Sequence, residues 1–188
     1  TVSCLKPQKS PEDFIRVAAL VCQRMPAAKC VLVGDGALRP KIEAMIQAHG
    51  LQDRVTLLGW RRDVASLLKA LDVFVLTSQW EGLPCAILEA RASRIPIVAT
   101  RVGGSAEAII EGIQGTLCPA GDVRAIAGRV CQILGDERLR ADLRNGTQEL
   151  PEEFTIQETV KQYHSLYTYL LHATRPAHDM MKLQPNRL

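Results

Sequence analysis

The sequence predicts an α/β fold in which helices cover both faces of an open, parallel β-sheet. Short apolar runs alternate along the chain with amphipathic stretches, which is the pattern of repeated strand and helix units. Aromatic residues make up only 4% of the 188 residues while aliphatic residues are plentiful, a balance typical of helices layered on an aliphatic sheet. Because helical crossovers join successive parallel strands, we expect a three-layer, doubly wound architecture.

The sheet is expected to contain six short, buried strands. They are predicted at Val2–Leu5, Cys30–Val33, Val55–Leu58, Val73–Leu76, Ile95–Ala99 and Gly115–Cys118. If the strand order is 3-2-1-4-5-6, the first and fourth strands are neighbours. The loops Lys6–Ser10 and Thr77–Pro84 follow these two strands, so they would face one crevice at the carboxyl edge of the sheet.

Start and stop signals locate the helices between the strands. Ser10 with Pro11 and Asp13 indicates a helix start, Gly50 a helix end, and Asp63 a candidate cap. After the sixth strand no further strand is expected, and three more helices form the carboxyl-terminal part of the chain. The predicted helices are Pro11–Arg24, Leu38–His49, Val64–Ala70, Pro84–Arg94, Val123–Leu134, Glu137–Gln148 and Ile156–Leu171.

Composition argues against several functions. The formal charge of +3 comes from 23 basic and 20 acidic residues mixed along the chain, which does not indicate nucleic-acid binding. The six cysteines form no CxxC pair, and no histidine stands at ligand spacing, so neither a metal site nor a disulfide framework is expected. Without a long apolar run or a signal-peptide pattern, we expect a cytoplasmic chain with no transmembrane segment. One domain over residues 1–171 and a tail over 172–188 are predicted.

The densest candidate site is the stretch Thr77–Ala90, directly after the fourth predicted strand. Gly82 permits a close approach of the backbone, and the helix start leaves NH groups free to bind an anion. Glu81 and Glu89 could accept hydrogen bonds from sugar hydroxyls. The alternative is that Glu81 only favours the helix start electrostatically and that Glu89 is a solvated helix residue.

Several motifs together favour the first interpretation. They are Leu76-Thr77-Ser78, Glu81-Gly82-Leu83-Pro84 and Leu88-Glu89-Ala90, with the glycine turns Val31–Gly36, Val55–Trp60 and Val102–Glu107. They resemble the ExxxxxxxE signature and the flanking turns of the family 4 (group 1) retaining glycosyltransferases. The resemblance covers about residues 3 to 171 and implies the Rossmann-like, carboxyl-terminal donor-binding domain of a GT-B enzyme.

The resemblance also implies roles for individual residues. Glu81 would bind the donor sugar, Lys9 would neutralise the donor diphosphate, and Glu89 would bind the ribose hydroxyls. The base would dock near the turn after the third strand, although Trp60 could equally be an ordinary packed aromatic. The residues expected to bind the nucleotide sugar, besides Lys9 and Glu81, are Gly34, Gly36, Gly59, Trp60, Arg61, Gly82, Leu83, Glu89, Gly103 and Gly104.

One position departs from the family pattern. The family commonly has an arginine five residues before the lysine, whereas this chain has Cys4. Replacing a guanidinium by a thiol removes a bidentate phosphate partner and should weaken donor binding or shift the task to another cation. Arg61, Arg62 and Arg101 are conceivable substitutes.

The resemblance therefore implies metal-independent sugar transfer with retention, as in polysaccharide biosynthesis. The nucleotide-diphosphate-sugar is the donor substrate and no cofactor is expected. The acceptor glycan or lipid-linked sugar would bind an amino-terminal domain, without which this chain is incomplete; the full protein could contact the inner face of a membrane. Two alternatives remain open: a non-catalytic nucleotide- or carbohydrate-binding module, which Cys4 would suit, and a sugar-nucleotide epimerase of GT-B architecture.

Overall fold

The computed structural model describes residues 1–146 and 151–173, which belong to two compact units, Thr1–Glu149 and Leu150–Leu188. The described part of the first unit contains five strands and seven α-helices. The strands are β1 (Cys30–Val33), β2 (Val55–Gly59), β3 (Phe74–Leu76), β4 (Ile97–Thr100) and β5 (Gly115–Cys118). The helices are α1 (Pro11–Arg24), α2 (Arg39–Ala48), α3 (Val64–Lys69), α4 (Cys85–Ala92), α5 (Ser105–Ala108), α6 (Val123–Gly135) and α7 (Glu137–Gly146).

All strand pairs are parallel. β1 pairs with β2, while β3, β4 and β5 form a second sheet in that order. Helices alternate with the strands, and all four residues of β4 are buried, as expected for a strand covered on both faces. The predicted α/β, Rossmann-like class is therefore confirmed.

The prediction of one six-stranded sheet is wrong. Val2–Leu5 is not a regular strand, because it makes only one parallel bridge, Val2 with Val33, supported by the hydrogen bond from Ser3 N to Val33 O at 2.9 Å. Among the described residues, no backbone hydrogen bond joins this segment to β3. A single bridge does not extend into a ladder, so the structure has two sheets, of two and three strands.

The predicted helix bounds agree with the structure to within about two residues, but neither the start signal Ser10 nor the candidate cap Asp63 caps its helix through its side chain. The side chains of Ser10 and Asp63 make no capping hydrogen bond; Ser10 binds the carboxylate of Asp13, and Asp63 binds Arg61. Charge-assisted partners close in sequence have replaced the cap in both cases. The helix prediction for residues 147 and 148 lies outside the described residues, as does most of the predicted tail.

Two apolar clusters form the core of the first unit. The first lies where α1 packs against α6 and includes Ile15, Leu32 and Ile126, all of them 0% exposed. The second joins the three-stranded sheet to α4 and includes Phe74 and Ile87, also 0% exposed. The core therefore lies against the strands, which leaves the loops at their carboxyl ends to carry polar groups.

Cysteines contribute to this core as thiols. All six are free, and Cys22 and Cys118 are buried. Burial raises the pKa of Cys30 to about 12, so this thiol stays protonated at neutral pH and is a poor nucleophile.

The second unit contains a 3₁₀ turn, Glu152–Phe154, and α8 (Ile156–Ala173). α8 carries several exposed apolar side chains, which are Ile156, Val160, Tyr163, Leu166, Tyr167, Tyr169, Leu170 and Leu171. In the part of the chain that the structure describes, no helix combines the length and apolar character needed to cross a bilayer.

Burial of α6 predicts a large loss of stability on truncation of its core side chain. Ile126→Ala should lower the free energy of unfolding by about 2–5 kcal/mol, because it removes a buried side chain and leaves a cavity. Urea unfolding followed by circular dichroism measures the change. Ile110 is 53% exposed, so Ile110→Ala should change stability by less than about 0.5 kcal/mol. Equal losses for the two variants would contradict the packing of α6.

Candidate active site

The two loops that follow Leu5 and β3 meet, as predicted, although the six-stranded order from which this was inferred is absent. The hydroxyl of Thr77 donates to the carbonyl oxygens of Lys9, at 3.2 Å, and Ser10, at 3.0 Å. The backbone NH of Gln79 donates to the carbonyl oxygen of Gln8 at 2.8 Å. Through the Thr77 side chain and the Gln79 backbone, these bonds fix the loop after β3 to the backbone of the Lys9 loop.

Lys9 and Glu81 form an ion pair where the loops meet. Lys9 Nζ lies 2.5 Å from Glu81 Oε1, although the two residues are 72 apart in sequence. The side chains are 18% and 5% exposed. The hydroxyl of Ser78 donates to the same carboxylate oxygen at 2.6 Å. One oxygen of Glu81 thus receives two donors, while Oε2 accepts no hydrogen bond from any described residue.

A second carboxylate, that of Asp13 in the first turn of α1, holds the base of the same loops. Its Oδ2 accepts from the hydroxyl of Ser10 at 2.8 Å and from Gln79 Nε2 at 3.1 Å, and its Oδ1 binds Arg16 at 2.6 Å. Ser10 has φ of 44°, in the left-handed region. Because a non-glycine residue there costs free energy, the bonds to Asp13 stabilise a turn that the backbone alone would not favour.

The loop after β4 supports the Glu81 loop from the other side. Thr100 donates its hydroxyl to the carbonyl oxygen of Ser78 at 2.6 Å, and Gly104 N donates to Gly82 O at 2.7 Å. Gly103 has φ of 46°, and a Cβ built there would lie 1.9 Å from the carbonyl oxygen of Glu81. A glycine is therefore needed at 103 both for its backbone conformation and for the contact.

The entrance to α4 is open. Gly82 and Leu83 are exposed, and a Cβ on Gly82 would meet no heavy atom within 4 Å. The NH groups of the first two helical residues, Cys85 and Ala86, donate to no described residue. Such free NH groups at a helix start can hold an anion. The carboxylate of Glu89 is exposed one turn further on, without a hydrogen bond or ion pair to a described residue.

The glycines after β1 and β2 lie close to the backbone of the first segment. Gly34 N donates to Gly59 O at 2.7 Å. A Cβ on Gly34 would lie 2.0 Å from Ser3 O, and one on Gly36 would lie 2.6 Å from Leu5 O. Both positions therefore have a packing role in bringing the first segment against β1.

The turn after β2 presents an aromatic and a charged side chain to solvent. Trp60 is 70% exposed, and the guanidinium of Arg62 stands 5.4 Å from the centre of its ring. Arg61 makes two hydrogen bonds to Asp63, of 2.8 and 2.6 Å. Those bonds from the Arg61 guanidinium lower the pKa of Asp63.

The surroundings of Cys4 bear on which cation could replace the arginine of the family pattern. Cys4 is exposed. Of the three conceivable substitutes, Arg61 binds Asp63, Arg62 stacks on Trp60, and Arg101 pairs with Glu111, whose pKa this hydrogen bond lowers. None of the three forms a hydrogen bond or an ion pair with Lys9 or Glu81.

Among the described residues, neither a cavity nor a metal-binding cluster adds to these loops. A cavity of about 380 Å³ opens beside the starts of β1 and β3, with Phe14, Val21 and Val75 in its wall. None of the predicted site residues lines it. Within residues 1–146 and 151–173, no cluster of three or more His, Cys, Asp or Glu side chains could hold a metal ion. Metal independence stays a prediction.

Sequence reasoning missed the residues that position the predicted pair. Ser78 stood at the edge of the motif without a role, yet its spacing of three from Glu81 is that of a side chain able to reach the next turn. Thr100 and Asp13 carried no such signal. Their partners come from other parts of the chain, so only the fold reveals them.

Residues 1–150 match the family described as "Glycosyl transferases group 1". The match covers well over half of the chain, and the chain belongs to this family. It carries a group 1 glycosyltransferase domain.

Named relatives and solved structures agree with this assignment. The chain is 32% identical over 169 residues to UDP-Gal:alpha-D-GlcNAc-diphosphoundecaprenol alpha-1,3-galactosyltransferase of Escherichia coli, covering 88% of this chain and 44% of that protein. S. aureus TarM, in a mutant crystallised with UDP, superposes with a TM-score of 0.82 at 26% identity, over 88% of this chain and 34% of that one. Anabaena HepE, solved with UDP-glucose, superposes with a TM-score of 0.71 at 29% identity, over 78% of this chain and 42% of that one. The chain thus spans less than half the length of these proteins.

The contact between the Gly103 and Glu81 loops predicts a specific sensitivity. Gly103→Ala should destabilise the protein by about 1–3 kcal/mol more than Gly112→Ala. Both glycines have positive φ, but nothing lies within 4 Å of a Cβ on Gly112. Urea unfolding of the two variants separates the backbone strain that they share from the clash with Glu81. Equal destabilisation would show that the loops do not touch as described.

Proposed function

We propose that this chain is the donor-binding domain of a glycosyltransferase that moves a sugar from a nucleoside-diphosphate carrier to an acceptor hydroxyl in glycan biosynthesis. The observation that carries the proposal is the ion pair between Lys9, on the loop before α1, and Glu81, on the loop before α4, although the two are 72 residues apart. A cation for a phosphate and a carboxylate for a hydroxyl stand together there. Membership of the group 1 family supports the same conclusion.

Each group has a chemical task in this proposal. Lys9 is a compact charge on a flexible stem, suited to a diphosphate. The free NH groups of Cys85 and Ala86 add donors for the same anion. Glu81 accepts a hydrogen bond from the donor sugar, and Glu89 accepts from the ribose. As the diphosphate leaves, the ammonium and the NH groups stabilise its growing charge. Transfer proceeds with retention, without a metal ion or cofactor.

The nucleotide is proposed to be uridine diphosphate. The E. coli relative is named for UDP-Gal, and the TarM and HepE structures are described with UDP or UDP-glucose. Trp60 and Arg61 follow β2 and are exposed, so the base has an accessible turn against which to dock.

The acceptor is proposed to bind a separate, amino-terminal domain. This chain covers 44% of its E. coli relative, which leaves room for a domain of similar size. That relative is named for a lipid-linked acceptor, so an acceptor glycan or lipid-linked sugar and a cytoplasmic location at the inner face of a membrane fit the proposal.

Calorimetry with Glu89→Ala tests the donor site. UDP, UDP-glucose, UDP-galactose, UDP-N-acetylglucosamine and GDP-mannose are titrated into the chain. Loss of a charge-assisted hydrogen bond to the ribose should weaken the binding of uridine nucleotides by about 10- to 100-fold. Glu137 is exposed at the start of α7, so Glu137→Ala serves as the matched control and should bind as the wild type does. No binding of any nucleotide to the wild type, or unchanged binding by Glu89→Ala, would refute the proposal.

A second candidate is a non-catalytic nucleotide-binding module, which the exposed thiol at Cys4 favours. Cys4→Arg separates the two, with Cys4→Ser as the control for loss of the thiol. A working donor site that depends on Lys9 should gain less than about threefold in UDP affinity from the new guanidinium. A gain of about a hundredfold or more, the value of a strong charged hydrogen bond, would indicate a site that has lost its phosphate partner.

A further inference from the structure

The carboxylate of Glu81 is held by two partners of different kinds. Its Oε1 receives the ammonium of Lys9 at 2.5 Å and the hydroxyl of Ser78 at 2.6 Å. Its Oε2 receives no hydrogen bond from the described residues. One oxygen of the carboxylate therefore accepts two hydrogen bonds, and the other can accept one from a further donor.

Ser78 is the fixed partner. The residue is 0% exposed, and its carbonyl oxygen accepts a 2.6 Å hydrogen bond from the buried hydroxyl of Thr100 at the end of β4. The preceding residue, Thr77, is anchored to the backbone of the Lys9 loop. The backbone of Ser78 is thus held in place, and its short, buried side chain keeps the hydroxyl beside Glu81.

Lys9 is the movable partner. Its backbone is fixed by Thr77, but its ammonium sits at the end of four methylene groups, and the side chain is 18% exposed. Rotation about the bonds of this flexible side chain can move the charge away from Glu81. No backbone movement is required.

We propose that donor binding exchanges the partner of Lys9: the ammonium leaves Glu81 for the diphosphate, while Ser78 keeps the carboxylate in place for a sugar hydroxyl. The inference rests on the proposed function and deepens it. Ser78 is a positioning residue, which acts through Glu81. Glu81 is in addition a competitor of the diphosphate for Lys9.

Two consequences of opposite sign follow from this exchange. Removing the charge of Glu81 should strengthen the binding of a diphosphate, because Lys9 no longer has to leave an anionic partner. The same change should weaken the contribution of the sugar, because its acceptor is lost. Removing the hydroxyl of Ser78 should leave the diphosphate unaffected and weaken only the sugar contribution.

The experiment measures dissociation constants for UDP and for the tightest-binding of UDP-glucose, UDP-galactose and UDP-N-acetylglucosamine, by calorimetry. For Glu81→Gln, the constant for UDP should fall by about 3- to 10-fold, while the ratio of the UDP constant to the UDP-sugar constant should also fall. For Ser78→Ala, the UDP constant should stay within about twofold of the wild type, and the UDP-sugar constant should rise by about 5- to 10-fold.

Ser105→Ala is the matched control. Ser105 is also 0% exposed, but its hydroxyl has no hydrogen-bond partner among the described residues, so both constants should stay unchanged. Thermal unfolding checks that each variant is folded. If Ser78→Ala does not fold, Ser78→Cys retains a weak donor and should give a smaller change in the same direction.

The outcomes distinguish the two proposals. A wild-type chain that binds neither UDP nor a UDP-sugar overturns the proposed function and the inference together. If the wild type binds both, unchanged or weaker UDP binding by Glu81→Gln overturns the exchange alone. Equal changes of both constants in Ser78→Ala indicate a structural role and overturn its assignment as a positioning residue.

Discussion

The ion pair between Lys9 and Glu81 constrains the whole carboxyl edge of the first unit. Both charges are largely removed from water, and such a pair is stabilising only where geometry and further hydrogen bonds offset the lost hydration. Here the additional bond comes from Ser78, and the loop backbones are tied by Thr77 and Gln79. The pair thus depends on the strand ends being adjacent, and the loops in turn adopt the one arrangement that lets the charges meet.

Close backbone contacts enforce the same arrangement. Gly103 lies against the carbonyl of Glu81, and Gly34 against that of Ser3, at distances that leave no space for a side chain. A glycine in a loop at a ligand edge suggests a surface that approaches the ligand, and this was the sequence-based interpretation of both residues. The contacts give each of them a reason that involves no ligand, whereas Gly82 faces open space. A substitution at Gly103 or Gly34 would therefore test loop packing, whereas one at Gly82 would add a side chain to the open space before α4.

The sequence predicted local features better than pairings. The bounds of α1 could be predicted from apolar spacing and start signals, because periodicity is a local property. The division into two sheets could not, since whether Val2–Leu5 pairs beyond one bridge depends on neighbours distant in sequence. The caps failed for a related reason: Asp63 had Arg61 within two residues as a charged competitor. At the site, resemblance suggested Lys9 and Glu81, but the bond from Thr100 to Ser78 could appear only once the strands were placed.

The charge balance of the site connects the missing arginine to the ion pair. Lys9 and Glu81 neutralise each other, so neither charge is buried without a partner where water is scarce. Cys4 supplies no cation, so in the proposed site the diphosphate is left to Lys9 and the NH groups before α4. A site built this way has to separate an existing pair to bind its ligand. In the proposed exchange, affinity is set by the difference between two ionic contacts of Lys9, so Glu81 would govern diphosphate binding as well as sugar recognition.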